Sequence, residues 1–338
     1  MIDLLVAGGG PVGMATALYA AQRGLSVAIA EPRKGPIDKA CGEGLMPGAV
    51  SALGALGIDV SGRAFRGIRY TDGRRTAEAA FSSGPGLGVR RLALYSSLLD
   101  VVERHSVHVL PVPVDRVETT ADSVRAAGVT ARYLAAADGL HSPVRRMCGL
   151  DLPAQGPRRF GLRRHYAVQP WTDLVEVHWG PDCEAYVTPV GEGLVGVAIL
   201  TGRRGTFEGH LRAFPRLRER LPDAAATTTR AAGPLRQRSR ARTSGRVLLV
   251  GDAAGYVDAL TGEGLAIGLA SARALVDSVA ADDPRSYEQG WLEATRRYRR
   301  ITEALLWARN RPRLARAIVP AASRLPRVFG SAVNALAR

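Results

Sequence analysis

The feature that most constrains the fold is the first 31 residues, where a glycine-rich turn separates two apolar runs. IDLLVA (2–7) precedes Gly8, Gly10 and Gly13 in the spacing GxGxxG, and LSVAIA (25–30) follows a stretch of helix-forming residues over 12–23. Short uninterrupted apolar runs are typical of parallel strands buried on both faces. The order strand, glycine turn, helix, strand therefore predicts a βαβ unit, which places the chain among α/β proteins.

Each part of this unit has a physical role in holding a dinucleotide. Gly8 permits the tight turn, Gly10 lets backbone N–H groups approach a pyrophosphate, and Gly13 allows close packing of helix on strand. The helix N-terminus carries partial positive charge, which attracts phosphate. Glu31 ends the second run and is placed to accept hydrogen bonds from ribose hydroxyls. The motif predicts a bound dinucleotide but does not identify which one.

Two later segments predict further contacts with the same ligand. ARYLAAAD (131–138) is predicted to be a strand that ends on Asp138, with Gly139 in the following turn and Ser142 capping a helix. The run RVLLV leads into GDAAGYVDALTGEG (251–264), which places Asp252 at a strand end and a helix start near Gly262. A ligand held at the first strand and at this distant helix start must be long, and FAD has that length.

The three motifs, in this order, resemble those of the FAD-dependent oxidoreductases that include para-hydroxybenzoate hydroxylase-like monooxygenases, flavin halogenases and geranylgeranyl reductases. GVRRLALYSSLL (88–99) is similar to the family helix whose arginine contacts FAD, with Arg91 the better match and Arg90 its neighbour. The resemblance implies that Glu31 binds ribose, that Arg33 and Arg91 bind the ADP half, and that Asp252 binds the ribityl–phosphate region. The cofactor-binding residues predicted in this way are Gly8, Gly10, Pro11, Val12, Gly13, Glu31, Arg33, Cys41, Gly42, Arg91, Asp138, Gly139, Asp252, Gly262, Gly264 and Leu265.

Within this superfamily, two segments are similar to the geranylgeranyl reductase branch. These are KACGEGLMPGAV (39–50) and GYVDALTGEGL (255–265). EAYVTPVGEGLVGVAIL (184–200) is similar to the substrate-sheet strands of these proteins, which makes Tyr186 and Pro189 candidates for lining the flavin. Cys41, in the segment 39–50, is a third candidate. Cys41 is alternatively a small buried thiol. The halogenase segment WxWxIP is absent from the sequence, which argues against halogenation.

The histidines and cysteines do not indicate a metal site. The three cysteines are widely spaced and form no CxxC pair, which is typical of a reducing compartment and predicts a cytoplasmic protein. The six histidines have no ligand spacing; His165 and His178 lie on predicted strands of the substrate region. We interpret both as structurally satisfied side chains, with a pocket-facing role as the alternative.

The motifs predict a Rossmann-like (GR2-type) FAD domain with an inserted, mostly antiparallel β substrate domain and a helical C-terminal tail. The predicted segments are 1–62, 84–157 and 234–285 for the discontinuous FAD domain, 63–83 and 158–233 for the substrate domain, and 286–338 for the basic tail.

Charge is concentrated at the end of the chain. The net charge is +15, and residues 290–338 hold eleven arginines against Glu293 and Glu303. This excess is interpreted as a solvated helical face, a contact with an anionic membrane surface, or a contact with nucleic acid. Because the cofactor motifs are intact, specific nucleic-acid binding is not expected, and peripheral membrane contact is the alternative retained. The oligomeric state is left open.

Two reactions are considered at this level, of which the first is the predicted one and the second is its alternative. The first is monooxygenation, in which NADPH or NADH reduces the FAD and O₂ is used to hydroxylate or epoxidise an apolar or phenolic small molecule, as in secondary metabolism. The second is a geranylgeranyl reductase-like reduction or dehydrogenation of C=C bonds in an isoprenoid or polyketide. Stoichiometric consumption of O₂ distinguishes the first from the second.

Overall fold

The computed structural model describes residues 1–337. Its strands are β1 Ile2–Ala7, β2 Val27–Ala30, β3 Gly44–Leu45, β4 Arg63–Phe65, β5 Gly67–Thr71, β6 Thr76–Ala80, β7 Gly86–Gly88, β8 His108–Leu110, β9 Val117–Thr119, β10 Val124–Ala126, β11 Val129–Ala136, β12 Asp151–Leu152, β13 Phe160–Tyr166, β14 Leu174–Trp179, β15 Cys183–Gly191, β16 Leu194–Thr201, β17 Arg230–Ala232, β18 Arg238–Ser239, β19 Thr243–Ser244 and β20 Val247–Leu249. Its helices are α1 Pro11–Gln22, α2 Pro47–Ala55, α3 Arg91–Arg104, α4 Pro143–Met147, α5 Phe207–Leu211, α6 Pro215–Arg218, α7 Gly264–Ala280, α8 Ser286–Arg309, α9 Pro312–Ala315, α10 Ile318–Arg324 and α11 Pro326–Leu336. A 3₁₀ turn covers Gly251–Ala254.

The first sheet has the strand order β19-β20-β11-β1-β2-β8, with β9 and β10 added beside β11. Strands β20, β11, β1, β2 and β8 run parallel to their neighbours in this row, and β19, β10 and β9 pair antiparallel. The apolar run of β1 is fully buried at Leu4, Leu5 and Val6, as expected for a strand covered on both faces. Helix α1 packs against both α3 and α7. The predicted α/β architecture is confirmed.

One predicted strand end is wrong. The sequence predicted a strand that ends on Asp138, whereas β11 ends at Ala136. Asp138 instead lies in the turn before α4, where its carboxylate accepts a hydrogen bond from the Val144 N–H at 3.0 Å. A short carboxylate side chain satisfies turn donors more readily than it fits a buried strand.

The second sheet has the order β17-β13-β16-β15-β14-β5-β6 and is antiparallel except where β14 pairs with β5. It is built from segments 67–80, 160–201 and 230–232, which the chain inserts between parts of the first sheet. Strand β4 does not join it. β4 pairs instead with β7 in a small sheet that also contains β3.

The C-terminal helices pack onto the body of the protein. Helix α8 lies along α7, and both α10 and α11 contact β6 of the second sheet. At the end of α11, the Asn334 side chain donates to the Ala80 carbonyl at 3.0 Å, and the Ala337 carbonyl accepts from the Gly48 N–H at 2.9 Å. The segment predicted as a tail is therefore helical, and its last helices are part of the folded core. None of the helices in residues 1–337 is both long enough and apolar enough to span a bilayer.

Candidate functional site

The site lies at the carboxyl ends of β1, β2, β11 and β20, which meet at one edge of the first sheet. The strand order runs outward from β1 in both directions, to β2 on one side and to β11 on the other. In open parallel sheets, such a reversal creates a crevice above the strand ends that binds ligands. All three sequence motifs begin at this edge.

In the glycine turn after β1, two glycines are packed closely against the backbone and a third faces open space. Gly8 has φ of +106°, and a Cβ there would lie 2.6 Å from the Ala137 carbonyl oxygen. A Cβ on Gly13 would lie 1.9 Å from the Gly8 oxygen, so neither glycine tolerates a side chain. A Cβ on Gly10, in contrast, would meet no atom within 4 Å. The first turn of α1 therefore faces open space, as phosphate binding requires.

Glu31 and Arg33 contact each other at the end of β2. The Arg33 guanidinium donates to both Glu31 carboxylate oxygens, at 2.7 and 2.8 Å, and the Gly9 N–H donates to Oε2 at 2.8 Å. Burial opposes ionisation of Glu31, but these hydrogen bonds outweigh it and lower the pKa of the carboxyl. Glu31 is thus an ionised acceptor beside the glycine turn, whereas Arg33 is half exposed.

The second motif is held by a helix cap and a buried arginine. The predicted Ser142 cap is confirmed, because its hydroxyl accepts from the Arg145 N–H at 2.9 Å. The Arg145 side chain is 1% exposed and donates to the Ala253 carbonyl at 2.9 Å, which ties this motif to the third. Burial raises the pKa of Asp138, whose Oδ1 is buried without a hydrogen-bond partner in the described chain.

The third motif places Asp252 among cations from two other segments. Burial raises the pKa of Asp252, while the positive charges of Lys39 and Arg91 act in the opposite direction. Burial, together with Arg33 and Arg91, lowers the pKa of Lys39. A Cβ on Gly139 would lie 3.6 Å from the Lys39 Nζ, so this ammonium also borders the second motif. Lys39 links all three motifs, although no sequence motif indicated it.

These residues fit FAD. The open turn at Gly10 and the α1 N-terminus suit a pyrophosphate, and Glu31 suits a ribose. Two buried polar atoms in the crevice, Arg91 Nε and Asp138 Oδ1, have no protein partner within residues 1–337, and both are of the kind that a bound nucleotide satisfies. Arg33, Lys39 and Arg91 supply the positive charge that a pyrophosphate needs.

Other predicted residues have structural contacts. Val12 packs against the third motif and α7, since a Cβ on Gly251 would lie 3.0 Å from its Cγ1 and a Cβ on Gly268 would lie 2.4 Å from its Cγ2. The Gly42 carbonyl accepts from the Thr188 hydroxyl at 2.8 Å. Pro11 is the first residue of α1, Gly262 has φ of +74°, and Leu265 is half-buried in the first turn of α7.

Cys41 lies in a loop stabilised by a buried carboxylate, Glu43, which no sequence motif indicated either. Glu43 is 3% exposed. Its Oε1 accepts from the Arg91 N–H at 2.8 Å, and its Oε2 lies 2.6 Å from His165 Nε2. Burial raises the pKa of the Cys41 thiol. His165 is therefore structurally satisfied, as interpreted from the sequence. His178 Nε2 lies 3.3 Å from Glu176 Oε2. No group of histidine, cysteine or carboxylate side chains in the described residues has the arrangement of a metal site.

Tyr186 and Pro189 lie on β15, next to the loops of the site. The Tyr186 hydroxyl donates to the Leu260 carbonyl in the third motif at 2.7 Å. The carbonyl of Pro189 packs so closely on Gly88 that a Cβ there would lie 1.7 Å from its oxygen. The two residues connect the second sheet to the third motif and to the small sheet, respectively.

An apolar cluster fills the space between the second sheet, the third motif and the C-terminal helices. Its members are mostly aromatic and aliphatic, and include Met46, Tyr70, Trp179, Tyr186, Tyr256, Leu260, Tyr298, Leu306, Phe329 and Val333. Glu263 lies at its edge, immediately before α7, and is 4% exposed. Burial raises the pKa of Tyr70 and Tyr298, and the charge of Glu263 raises both further, which places this carboxyl near both rings.

Glu263 differs from the other buried carboxylates. Glu31, Glu43, Glu176, Glu184 and Asp258 each accept a hydrogen bond from a basic side chain. Glu263 takes part in no side-chain hydrogen bond or ion pair within the described residues, and its Oε1 is fully buried. Burial raises its pKa to about 9, against a weaker opposing effect of Arg297, so its carboxyl is neutral at physiological pH.

The comparisons with known proteins agree with this geometry. The sequence profile of the family described as "FAD binding domain" matches residues 99–283, more than half of the chain. Menaquinone reductase of Mycobacterium tuberculosis is 28% identical over 317 residues, which cover 83% of this chain and 77% of the relative. Dialkyldecalin synthase of Streptomyces rugosporus is 28% identical over 316 residues, which cover 85% and 66% of the two chains.

Solved structures share the fold. A Diels-Alderase of the pyrroindomycin biosynthetic pathway superposes with a TM-score of 0.79 at 21% identity, covering 99% of this chain and 80% of its own. A geranylgeranyl bacteriochlorophyll reductase-like protein of Thermoplasma acidophilum gives a TM-score of 0.79 at 21% identity, with 97% and 91% coverage. The chain belongs to the FAD binding domain family and is an FAD-dependent oxidoreductase of the superfamily that includes the para-hydroxybenzoate hydroxylase-like monooxygenases.

Proposed function

We propose that the protein reduces a C=C bond in an apolar, isoprenoid-type substrate, which is the alternative reaction considered from the sequence and not the monooxygenation predicted first. The observation that carries this proposal is the buried carboxyl of Glu263, which lies within the third motif at the edge of the apolar cluster and has no basic partner in residues 1–337. The similarity to menaquinone reductases over most of the chain supports a reduction rather than an oxygenation. The electron donor is proposed to be NADPH or NADH.

Reduction of a C=C bond needs one hydride and one proton, because the π bond breaks and two C–H bonds form. FAD, when bound in its reduced form, supplies the hydride. Glu263 supplies the proton, since its carboxyl is protonated at neutral pH and its apolar surroundings keep bulk water away. Its carboxylate then recovers a proton from solvent.

The third motif holds Glu263 in place. Tyr186 anchors the loop through its hydrogen bond to the Leu260 carbonyl, and the Thr261 hydroxyl lies 2.9 Å from that of Thr302 on α8. Glu263 is therefore fixed between the second sheet and α8. A proton donor held on rigid elements meets the geometric requirement for general acid catalysis.

The test uses the FAD-loaded protein under anaerobic conditions with chemically reduced flavin. The substrates are a polyisoprenoid alcohol, which has no quinone that could itself reoxidise the flavin, its fully saturated analogue and a simple phenol. We expect flavin reoxidation with the unsaturated compound only, and a product heavier by two hydrogens. A product that forms only in air and is heavier by one oxygen would instead establish the monooxygenase.

The role of Glu263 is tested separately. Glu263→Gln retains the shape of the side chain but removes the proton, and we expect flavin reoxidation to slow by about 10²-fold or more. The matched control is Glu293→Gln on the exposed face of α8, which we expect to leave the rate unchanged. A normal rate in Glu263→Gln would leave the reaction class standing and remove Glu263 from it.

A further inference from the structure

The chain after Glu303 contains seven arginines and no acidic residue. Glu303 is the final acidic side chain, and Arg309, Arg311, Arg313, Arg316, Arg324, Arg327 and Arg338 follow it. Arg309 is buried and pairs with Glu184. Arg311, Arg313, Arg316, Arg324 and Arg327 are exposed, and none of them pairs with a carboxylate in the portion of the chain described here.

Large apolar side chains are exposed among these arginines. Trp307 is 56% exposed, Leu325 56% and Val328 63%, and Leu314 is also exposed. The Arg311 guanidinium stacks 3.9 Å from the centre of the Trp307 ring, so cationic and apolar groups are in direct contact. We call these nine residues, Trp307, Arg311, Arg313, Leu314, Arg316, Arg324, Leu325, Arg327 and Val328, the C-terminal surface.

This surface is outward-facing because the same helices are anchored by their other side. Val319, Phe329 and Val333 are buried in the apolar cluster, and the Phe329 ring lies 4.8 Å from that of Tyr70. The neighbours Val328 and Arg327 consequently point away from the body of the protein. A folded helical segment with an anchored inner side does not need to bury its outer apolar residues to be stable.

Exposed arginines together with exposed apolar side chains favour one class of binding partner. Arginines alone suit any polyanion, but phosphates of nucleic acid offer no apolar layer for Trp307, Leu325 and Val328. An anionic phospholipid bilayer offers phosphates for the guanidinium groups and, just beneath them, an acyl layer for the apolar side chains. Tryptophan in particular favours this boundary between headgroups and acyl chains.

We propose that the C-terminal surface binds the protein peripherally to anionic lipid bilayers. The apolar cluster, on the inner side of the same helices, then lies close to the membrane. This would bring a lipid-like substrate within reach of the site. The membrane contact does not depend on the proposed reaction, and its test involves no turnover.

The first experiment measures co-sedimentation of the FAD-loaded protein with phosphatidylcholine vesicles, with and without phosphatidylglycerol. We expect binding only with phosphatidylglycerol, and weaker binding as salt rises. Arg313→Glu/Arg316→Glu should weaken it about tenfold or more, since each arginine near such a surface contributes on the order of 1 kcal/mol. The matched control, Arg104→Glu/Arg125→Glu, has the same net charge and alters exposed arginines elsewhere. An equal loss of vesicle binding in the two double variants would overturn the proposal.

The second experiment tests the apolar part. Leu325→Ser/Val328→Ser should also weaken vesicle binding, whereas Met147→Ser, at a similarly exposed apolar position on α4, should not. Trp307 emission should shift to shorter wavelength on addition of anionic vesicles, and the shift should be absent from Trp307→Phe. Binding to duplex DNA that is stronger than vesicle binding and unaffected by Leu325→Ser/Val328→Ser would overturn the proposal in favour of nucleic acid.

Discussion

Both carboxylate oxygens of Glu31 are engaged within the protein, by Arg33 and by the N–H of Gly9. A ribose that binds to this carboxylate must therefore share it with Arg33 or displace the guanidinium. Arg33 is half exposed, so it can turn toward a phosphate at little cost. The Gly9 contact is different, because it fixes the backbone of the glycine turn against the end of β2.

We predict that Glu31→Gln weakens FAD binding by about tenfold, because an amide oxygen accepts hydrogen bonds less strongly than a carboxylate. The dissociation constant is measured from the fluorescence of FAD titrated into the FAD-free protein. The control is Glu118→Gln on β9, whose carboxylate pairs with Arg116 outside the crevice. Unchanged affinity in Glu31→Gln would show that the carboxylate does not hold the adenosine half.

The Glu263 carboxyl gives stability a defined dependence on pH. Its pKa is about 9 in the folded protein and about 4.5 in the unfolded chain. Between these values the folded state binds more protons, so the free energy of unfolding falls as pH rises. We predict that Glu263→Gln, which does not ionise, is more stable than the parent protein by on the order of 3 kcal/mol at pH 7, with almost no gain near pH 4.5.

Urea unfolding of both FAD-loaded proteins at several pH values from 5 to 8 measures this difference. The exposed Glu293→Gln variant serves as the control and is expected to follow the parent protein. Stability curves for Glu263→Gln and the parent that stay parallel over this range would mean that the Glu263 carboxyl ionises normally in the folded state.

At the scale of elements, a buried ion network joins α8 to the second sheet and the third motif. Glu184 on β15 accepts from Arg159 at 2.7 Å and from Arg309 at the end of α8, and Arg159 also contacts Asp258 at 3.0 Å. All four side chains are buried. The four side chains stabilise this junction only together. Removing one of them leaves the charge of its partner buried and uncompensated in a low dielectric.

We predict that Arg309→Ala destabilises the protein by about 3 kcal/mol, because Glu184 then keeps only one cationic partner. The midpoint of thermal unfolding should fall, as measured by circular dichroism. Arg313→Ala, four residues further along and exposed, should change stability by less than about 0.5 kcal/mol. Equal effects of the two substitutions would mean that the buried network contributes nothing to the docking of α8.

The sequence predicts local features well at this scale. The glycine turn, the Ser142 cap and the start of α7 depend on residues close together in the chain, and each lies within a few residues of its predicted position. Lys39, Glu43 and Glu263 were missed because their roles come from neighbours in other segments. Glu43 meets His165 only after the two sheets have come together, and Lys39 meets Asp252 only after β2 and β20 have joined the first sheet.

At the scale of the whole molecule, the inserted second sheet was predictable from the alternating apolar and polar residues of its segments. The exact set of strands that pair within it was not. β4 was expected in this sheet but pairs with β7, because its short run carries no signal that selects a partner strand. The C-terminal helices were expected to form a separate tail. Their anchoring through Phe329 and Asn334 depends on contacts with β5 and β6 that sequence patterns do not specify.

The parallel pairing of β14 with β5 has a consequence for the order of synthesis. β5 and β6 leave the ribosome as a hairpin, but the partner of β5 begins only at Leu174, after much of the first sheet has been made. Until then one edge of β5 has unpaired backbone groups, which favour association between nascent chains. Fragments that stop before residue 174 should therefore aggregate, and the first sheet should not be obtainable as an independent piece by truncation alone.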